Sequence, residues 1–495
     1  MPCSLCRSKQ SSRLVSPLTE STKGNQLRQS NATNLRAWPG ANLKLLAPLP
    51  SAGSLLVLLA LAILLARGDW RLAAGIVAVA LILFSSLIAP HYLGLFALLA
   101  FMGTAMPIVN QGGALNRYRW AMLLAMALGL LVRNSMQGSS SRWHPMHFSL
   151  ALFVFCAAIS SSYSVNGLMT LLKAGTFGCL FVGAMLYGRL ESRHGSESPC
   201  KLLEHLYWCG TLVGLGCVLA GLHVLPSGSG YFRGPFGNAN ALGAFIPFIA
   251  PVLLLKLFQP LKKGPLTRPA NVALTAMFLV FLLMSRSRGG IVATFLGCAW
   301  WLYFTSRKVF GWFLVGALLS GVISLVYFPR YIESVNRVYV QKGGSYVLQT
   351  RGKVLEATWE AAMESPLHGV GFGVAKGYSE DWEFGFESGV AGREKMNSFL
   401  AAIEEVGIVG AAFLLLPLAW VFVAAARRLI LIRRFHPSAG EFWTVLTLSA
   451  CLLGGLADSL AEAWLTAAGF FSAIMFWLIF GVLATRLTIP FRAPQ

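Results

Sequence analysis

Long apolar runs recur along almost the whole chain, and they constrain its fold more than any other feature. About fourteen such runs, of roughly 16 to 22 residues each, are separated by polar connections, and a helix needs about 20 apolar residues to cross a bilayer core. In lipid, each backbone N–H and C=O must be satisfied within the segment, so such runs fold as helices. The pattern predicts an all-α polytopic membrane protein with about 12–14 transmembrane helices.

Composition and charge agree with this fold class. Hydrophobic residues make up 56% of the chain and charged residues only 12%, a balance outside the range of soluble globular domains. The formal net charge is +21, but the Lys and Arg residues are spread over the connections rather than gathered in one patch. Such charges are typical of topology determinants in membrane proteins, so we expect membrane lipids and no nucleic acid as partners.

The basic connections predict the orientation of the chain, because positive charges in short loops mark the cytoplasmic side. The apolar runs between basic clusters are nearly always even in number, which predicts that both termini lie in the cytoplasm. The same parity places the connections 226–240, 286–288 and 329–396 together on the outer face. The basic clusters are 188–204, 256–269, 307–308 and 427–436.

The runs also divide the chain into segments. A basic tail rich in Ser and Asn is predicted to be disordered, and the long outer loop is predicted to contain an amphipathic helix over 350–364, where apolar residues recur at helical spacing. The segments are a tail (1–52), N-terminal helices (53–225), central helices (226–328), the large loop (329–396), C-terminal helices (397–486) and a cytoplasmic tail (487–495).

Arginine occurs in two short segments of the outer face. In GYFRGPFGNANALGAF, Arg233 precedes a Gly-Pro turn, and Asn238 and Asn240 stand where the next helix begins, a position that favours an Asn cap. An Arg beside a helix N-terminus can bind an anion, although an interfacial anchor with a cap has the same pattern. In SRSRGG, Arg286 and Arg288 lie between two apolar runs and are expected to face a polar cavity, a headgroup or an anionic ligand.

Acidic residues enter two of the C-terminal apolar runs. Glu404 and Glu405 are adjacent, and Asp458 and Glu462 are four residues apart. Ionised carboxylates facing lipid are costly, so we expect these groups to face a cavity or to pair with arginine. Structural pairing and catalysis both remain open for them.

Four motifs in order over residues 230–410 resemble the O-antigen ligase and polymerase superfamily. They are RGPFGNANALG, SRSRGG, the arrangement Arg-x7-Trp-x6-Pro-x2-GVGFG from Arg351, and MNSFLAAIEEVGIVG. The resemblance implies a glycosyltransferase of the bacterial inner membrane that is active at the periplasmic face and needs no nucleotide sugar, metal or other cofactor. It would move a glycan from an undecaprenyl-diphosphate carrier to an acceptor glycan or lipid A core. The resemblance does not separate a ligase from a polymerase.

The resemblance also implies roles for particular residues. Arg233, Arg288 and Arg351 would bind the diphosphate, with Arg286 beside them. The family usually has a histidine before the Asn-Ser pair as candidate general base, whereas this chain has Met396, whose thioether cannot accept a proton near neutral pH. The acceptor-side or structural candidates are Asn238, Asn240, Met396, Asn397, Glu404, Asp458 and Glu462.

Several alternatives follow from the missing histidine. His368, in the turn before GVGFG, and Glu405, at the family's Glu position, are the candidate catalytic residues. A reaction without a base at this position, or a family member without transferase activity, also fits the sequence. A transporter of a small anion or a lipid-linked glycan is the alternative from another functional class, because basic residues inside a helical bundle suit a permeation path.

Overall fold

The structure is a computed structural model that describes residues 70–110, 114–137, 144–192, 200–222, 231–258, 267–327, 347–374, 395–435 and 440–489. The predicted tail 1–52, the apolar run 53–66 and much of the predicted loop lie outside these residues. All regular elements in the described part of the chain are helical, which confirms the all-α prediction.

Fourteen α-helices are formed by the described residues. They are α1 Trp70–Leu87, α2 Pro90–Ala105, α3 Ala114–Met136, α4 Pro145–Ile159, α5 Gly167–Ser192, α6 Lys201–Gly221, α7 Ala239–Phe258, α8 Arg268–Ser285, α9 Arg288–Thr305, α10 Arg307–Tyr327, α11 Val347–Glu364, α12 Ser398–Phe435, α13 Gly440–Ser459 and α14 Phe471–Thr488.

Eight of these helices are long and apolar enough to cross a membrane: α4 with its extension to Ser162, α5 to α8, and α12 to α14. The protein is therefore a multi-pass membrane protein, while the total of 12–14 spans stays a prediction.

Glycines allow the central helices to approach one another closely. At the α5–α14 crossing, a Cβ added to Gly188 would meet the backbone of Gly481. At the α7–α9 crossing, a Cβ added to Gly290 would come within 2.7 Å of the Cα of Gly243. Small residues are the usual means of close helix contact in membranes, because no water is expelled between apolar helices to drive their association. These contacts fix the helices whose ends build the site.

Two breaks in the helices fall within the motifs identified in the sequence. Arg286 has φ of 53° and separates α8 from α9, so SRSRGG is the tight junction predicted from hydropathy. α12 is interrupted at Gly407, which has φ of 68° and ψ of 178°. The predicted loop helix 350–364 is found as α11, three residues longer at its start.

The last apolar run departs from the prediction. Hydropathy predicts one continuous apolar helix over 464–484, but α14 begins only at Phe471 and residues 460–470 form turns. Tertiary contacts replace helical hydrogen bonds there: Ser398 Oγ accepts from Leu465 N at 3.1 Å, and Trp477 Nε1 donates to Leu465 O at 2.9 Å. We call residues 460–470 the C-terminal turn.

Candidate functional site

A cavity of about 720 Å³ lies at one end of the helix bundle. It is lined by the end of α2, by residues of the first three turns of α3, α5, α7 and α12, by the start of α14, by residues 372–374 and by the C-terminal turn. Four of these helices, α3, α7, α12 and α14, contribute first-turn residues, and helix N-termini carry partial positive charge. Its charged lining residues are Arg119, Lys173, Lys395, Glu405 and Glu462. The wall is therefore suited to an anionic ligand that also carries hydroxyl groups.

The glycine-rich turn after α11 is inserted into the break in α12. Val370 N donates to Glu404 O at 2.8 Å, Gly371 N donates to Glu405 O at 3.0 Å, and Ile408 N donates to Pro366 O at 2.8 Å. The interruption of α12 frees these backbone groups from helical pairing, and the turn satisfies them. The family motifs GVGFG and EEVG therefore form one interlocked unit.

Glycine is required at both sides of this contact. The backbone of Gly407 lies in a region of positive φ and extended ψ that is essentially restricted to glycine. A Cβ added to Gly369, which has φ of 74°, would meet the carbonyl of Glu405 at 2.5 Å. The two segments approach as closely as they do because neither carries a side chain at these positions.

Lys395 forms ion pairs with the two adjacent glutamates, Glu404 and Glu405. Its Nζ lies 2.8 Å from Glu405 Oε1 and 3.4 Å from Glu404 Oε2, and it also donates to Val374 O at 2.8 Å. All three charged side chains are buried, with 9% of Lys395, 7% of Glu405 and none of Glu404 exposed. The cost of placing carboxylates in α12 is therefore offset by a lysine next to the Met396 position.

The asparagines of the two family motifs cap helices. Asn238 Oδ1 accepts from Asn240 N at 2.9 Å at the start of α7. Asn397 Oδ1 accepts from Phe399 N at 2.9 Å and from Leu400 N at 3.0 Å at the start of α12. Both are side-chain caps of the kind that Asn favours.

Hydrogen bonds also connect the starts of α7 and α12 to the C-terminal turn. Asn240 Nδ2 donates to Glu462 Oε1 at 3.0 Å, and Ser398 Oγ donates to Glu462 O at 2.8 Å. Asn397 Nδ2 donates to Leu460 O at 3.0 Å. Glu462 is thus fixed from both sides, with its carboxylate on the cavity wall.

Asp458 is buried at the end of α13. Its Oδ2 accepts from Trp464 Nε1 at 2.9 Å, and Trp464 lines the cavity. A Cβ added to Gly289 would lie 3.4 Å from Asp458 Oδ1, so this carboxylate abuts the first turn of α9. A carboxylate is favourable at a helix N-terminus, which gives Asp458 a structural role beside SRSRGG.

The predicted arginines lie outside the cavity wall. Arg233 Nη1 donates to Gly237 O at 3.3 Å, and Gly237 lines the cavity. The guanidinium of Arg286 stacks on Tyr231, 5.3 Å from the ring centre. Arg288 is half-buried at the start of α9, and the side chain of Arg351 lies outside the described residues. Arg233 thus contacts the cavity lining at Gly237, and Arg286 contacts Tyr231 in the same segment.

His368 and Met396 do not line the cavity. The His368 side chain is exposed and packs edge-on against Tyr163, with ring centres 5.0 Å apart. Tyr163 Oη donates to His368 O at 2.6 Å, and burial raises the pKa of this phenol. The tyrosine thereby anchors the glycine-rich turn.

The sequence reasoning did not single out three cations of the wall: Arg119, Lys173 and Lys395. The signal was present for Lys173, which interrupts an apolar run in the way that Arg286 and Arg288 do. Lys173 Nζ donates to Gly373 O in the glycine-rich turn.

Comparison with known proteins supports the resemblance seen in the motifs. The family model described as O-antigen ligase matches residues 273–415, from within α8 to within α12. This segment includes SRSRGG, the glycine-rich turn and the break in α12. No curated protein matches the chain significantly. Over residues 273–415 the chain is therefore similar to the O-antigen ligase family, in agreement with the motifs.

Proposed function

We propose that the protein transfers a glycan from an undecaprenyl-diphosphate carrier to an acceptor sugar at the periplasmic face of a bacterial inner membrane. One observation carries this proposal: the interlocked family motifs place Lys395 and Glu405 on the wall of a cavity of about 720 Å³. The wall of that cavity carries cations that could bind a diphosphate. It also carries carboxylates that could accept a hydrogen bond from a hydroxyl group. Ligase and polymerase differ only in the acceptor and share this chemistry.

In the proposed reaction, the acceptor hydroxyl attacks the anomeric carbon of the carrier-linked sugar. The bond from that carbon to the diphosphate oxygen breaks, and the electron pair leaves with the diphosphate. Guanidinium groups can bind phosphate oxygens in pairs and stabilise the charge that develops on them. We assign this role to Arg233, Arg286 and Arg288, and to Arg351, which the motif resemblance adds to them.

The hydroxyl proton must pass to a base, and the geometry favours a carboxylate of the wall over His368. Glu405 has Oε1 bound to Lys395, while its Oε2 is buried. Glu462 is more open to the cavity and is oriented by Asn240. We therefore assign the proton-accepting role to Glu462, while Glu405 positions Lys395.

Glu462→Gln is expected to lower the transfer rate roughly 10²–10⁴-fold, the usual contribution of a general base. The measurement is product formation by the purified chain in proteoliposomes with undecaprenyl-diphosphate-linked oligosaccharide and an acceptor glycan. Glu360→Gln, on the exposed face of α11, is the matched control and is expected to keep the wild-type rate.

Two results would contradict this account. If Glu462→Gln keeps the wild-type rate while His368→Ala loses it, the base is His368. If the wild-type chain forms no product but takes up a labelled anion, and Arg233→Ala abolishes the uptake, the protein is a transporter.

A further inference from the structure

Arg119 is a cation of the cavity wall that has no hydrogen-bond or ion-pair partner among the described residues. It lies in the second turn of α3, is partly buried, and makes no hydrogen bond or ion pair with the residues that the structure describes. Its guanidinium offers five N–H donors in a planar fork that matches phosphate geometry. A desolvated charge without a counter-charge is unfavourable, so this side chain is suited to an anionic ligand.

The position of Arg119 is set by a glycine in the C-terminal turn. A Cβ added to Gly469 would lie 2.8 Å from Arg119 Nε and 3.0 Å from Nη1. The side chain of Arg119 therefore packs directly on the backbone of Gly469, and both residues line the cavity. The φ of Gly469 lies outside the left-handed region, so it is the space, and not the conformation, that requires glycine here.

Lys173 is close to Arg119 and is also fixed from one side. Its ammonium has three donors, and its described hydrogen bond goes to Gly373 O. Arg119, Lys395 and Glu405 are all near enough to Lys173 to interact with it electrostatically. Lys395 pairs with both Glu404 and Glu405, which leaves that cluster with one negative charge in excess. Arg119 and Lys173 together outweigh this excess by one positive charge.

We infer that Arg119 and Lys173 form a phosphate-binding subsite inside the cavity. Both residues lie outside the segment 273–415 that matches the family model, so the subsite is contributed by the N-terminal half of the chain. Its ligand is a phosphate or diphosphate group, and we assign it to the polyprenyl diphosphate of the carrier. That assignment rests on the proposed function, whereas the binding of phosphate by this pair does not.

The test is direct binding to the full-length chain in detergent, measured as Kd for undecaprenyl diphosphate and for inorganic pyrophosphate. Arg119→Gln is expected to raise both Kd values about tenfold or more, because a charge-assisted contact is lost. Arg117→Gln is the matched control: it removes the same charge two residues away on an exposed side chain, and the Kd values should not change.

A second variant, Gly469→Ala, keeps the charge of Arg119 but changes its position. Gly469→Ala is expected to displace the guanidinium and to raise both Kd values, although less than Arg119→Gln does, while Arg119→Lys should bind better than Arg119→Gln. Wild-type Kd values in both Arg119→Gln and Gly469→Ala would overturn the inference. A rise confined to pyrophosphate would overturn the assignment to the carrier.

Failure of the two proposals can be told apart. If Arg119→Gln weakens binding but the wild-type chain transfers no glycan, the phosphate-binding subsite is supported and the proposed transferase function is contradicted. If the wild-type chain transfers glycan and Arg119→Gln leaves both Kd values and the transfer rate unchanged, the transferase function is supported and the subsite is contradicted.

Discussion

Lys395→Met is expected to lower the free energy of unfolding by about 3–5 kcal/mol, the usual cost of removing one partner from a buried ion pair. The substitution would leave Glu404 and Glu405 adjacent and buried without their lysine. It would also release Val374 O, so the glycine-rich turn should loosen from α12. The measurement is the thermal midpoint and the denaturation curve of the purified chain in detergent.

Neutralising Glu404 and Glu405 should restore much of the free energy of unfolding that Lys395→Met removes. Glu404→Gln and Glu405→Gln, combined with Lys395→Met, are expected to unfold closer to the wild type than Lys395→Met alone. Lys201→Met is the control, because Lys201 pairs with Glu204 at 3.1 Å but is 44% exposed, and exposed pairs contribute about 0–1 kcal/mol. An equal and small loss for Lys395→Met and Lys201→Met would show that the buried cluster does not stabilise the fold.

Gly407→Ala is expected to lower both stability and transfer activity. The backbone conformation alone accounts for about 1–3 kcal/mol, since φ of 68° with ψ of 178° is strained for any residue with a side chain. The new methyl group would also meet the Leu367 carbonyl, so the glycine-rich turn could not stay in the break. Both the thermal midpoint and product formation should fall.

The control for this substitution is Gly175→Ala. Gly175 lies within α5, and a Cβ there would meet no atom within 4 Å. Ala is the better helix former, so the Gly175 variant should be as stable as the wild type or slightly more so. If Gly407→Ala behaves like Gly175→Ala, the interlocked turn is not needed for fold or activity.

Much of the helical framework could be predicted from local sequence. The apolar runs predicted over 270–285 and 289–305 lie within two residues of the observed bounds of α8 and α9, and the polar residues between them mark the SRSRGG junction. The loop helix α11 follows from its 3.6-residue periodicity. These features depend on neighbours in sequence, which is why hydropathy and spacing predict them.

The candidate site depends on contacts between distant residues, and its details could not be predicted in the same way. The pairing of Val370 and Gly371 with the carbonyls of Glu404 and Glu405 joins segments more than thirty residues apart. The hydrogen bond from Lys173 to Gly373 O joins residues two hundred positions apart. Apolar composition also predicts too early a start for α14, because residues 464–470 form tertiary hydrogen bonds in place of helical ones.

The central claim is that glycan transfer takes place in the cavity of about 720 Å³, and a substitution that fills the cavity tests it most directly. Ala467 lines the cavity, whereas Leu460 is 56% exposed in the same C-terminal turn. We expect Ala467→Trp to keep the wild-type thermal midpoint and to lose product formation from undecaprenyl-diphosphate-linked oligosaccharide, whereas Leu460→Trp should keep both. Wild-type product formation by the Ala467→Trp variant would contradict the account.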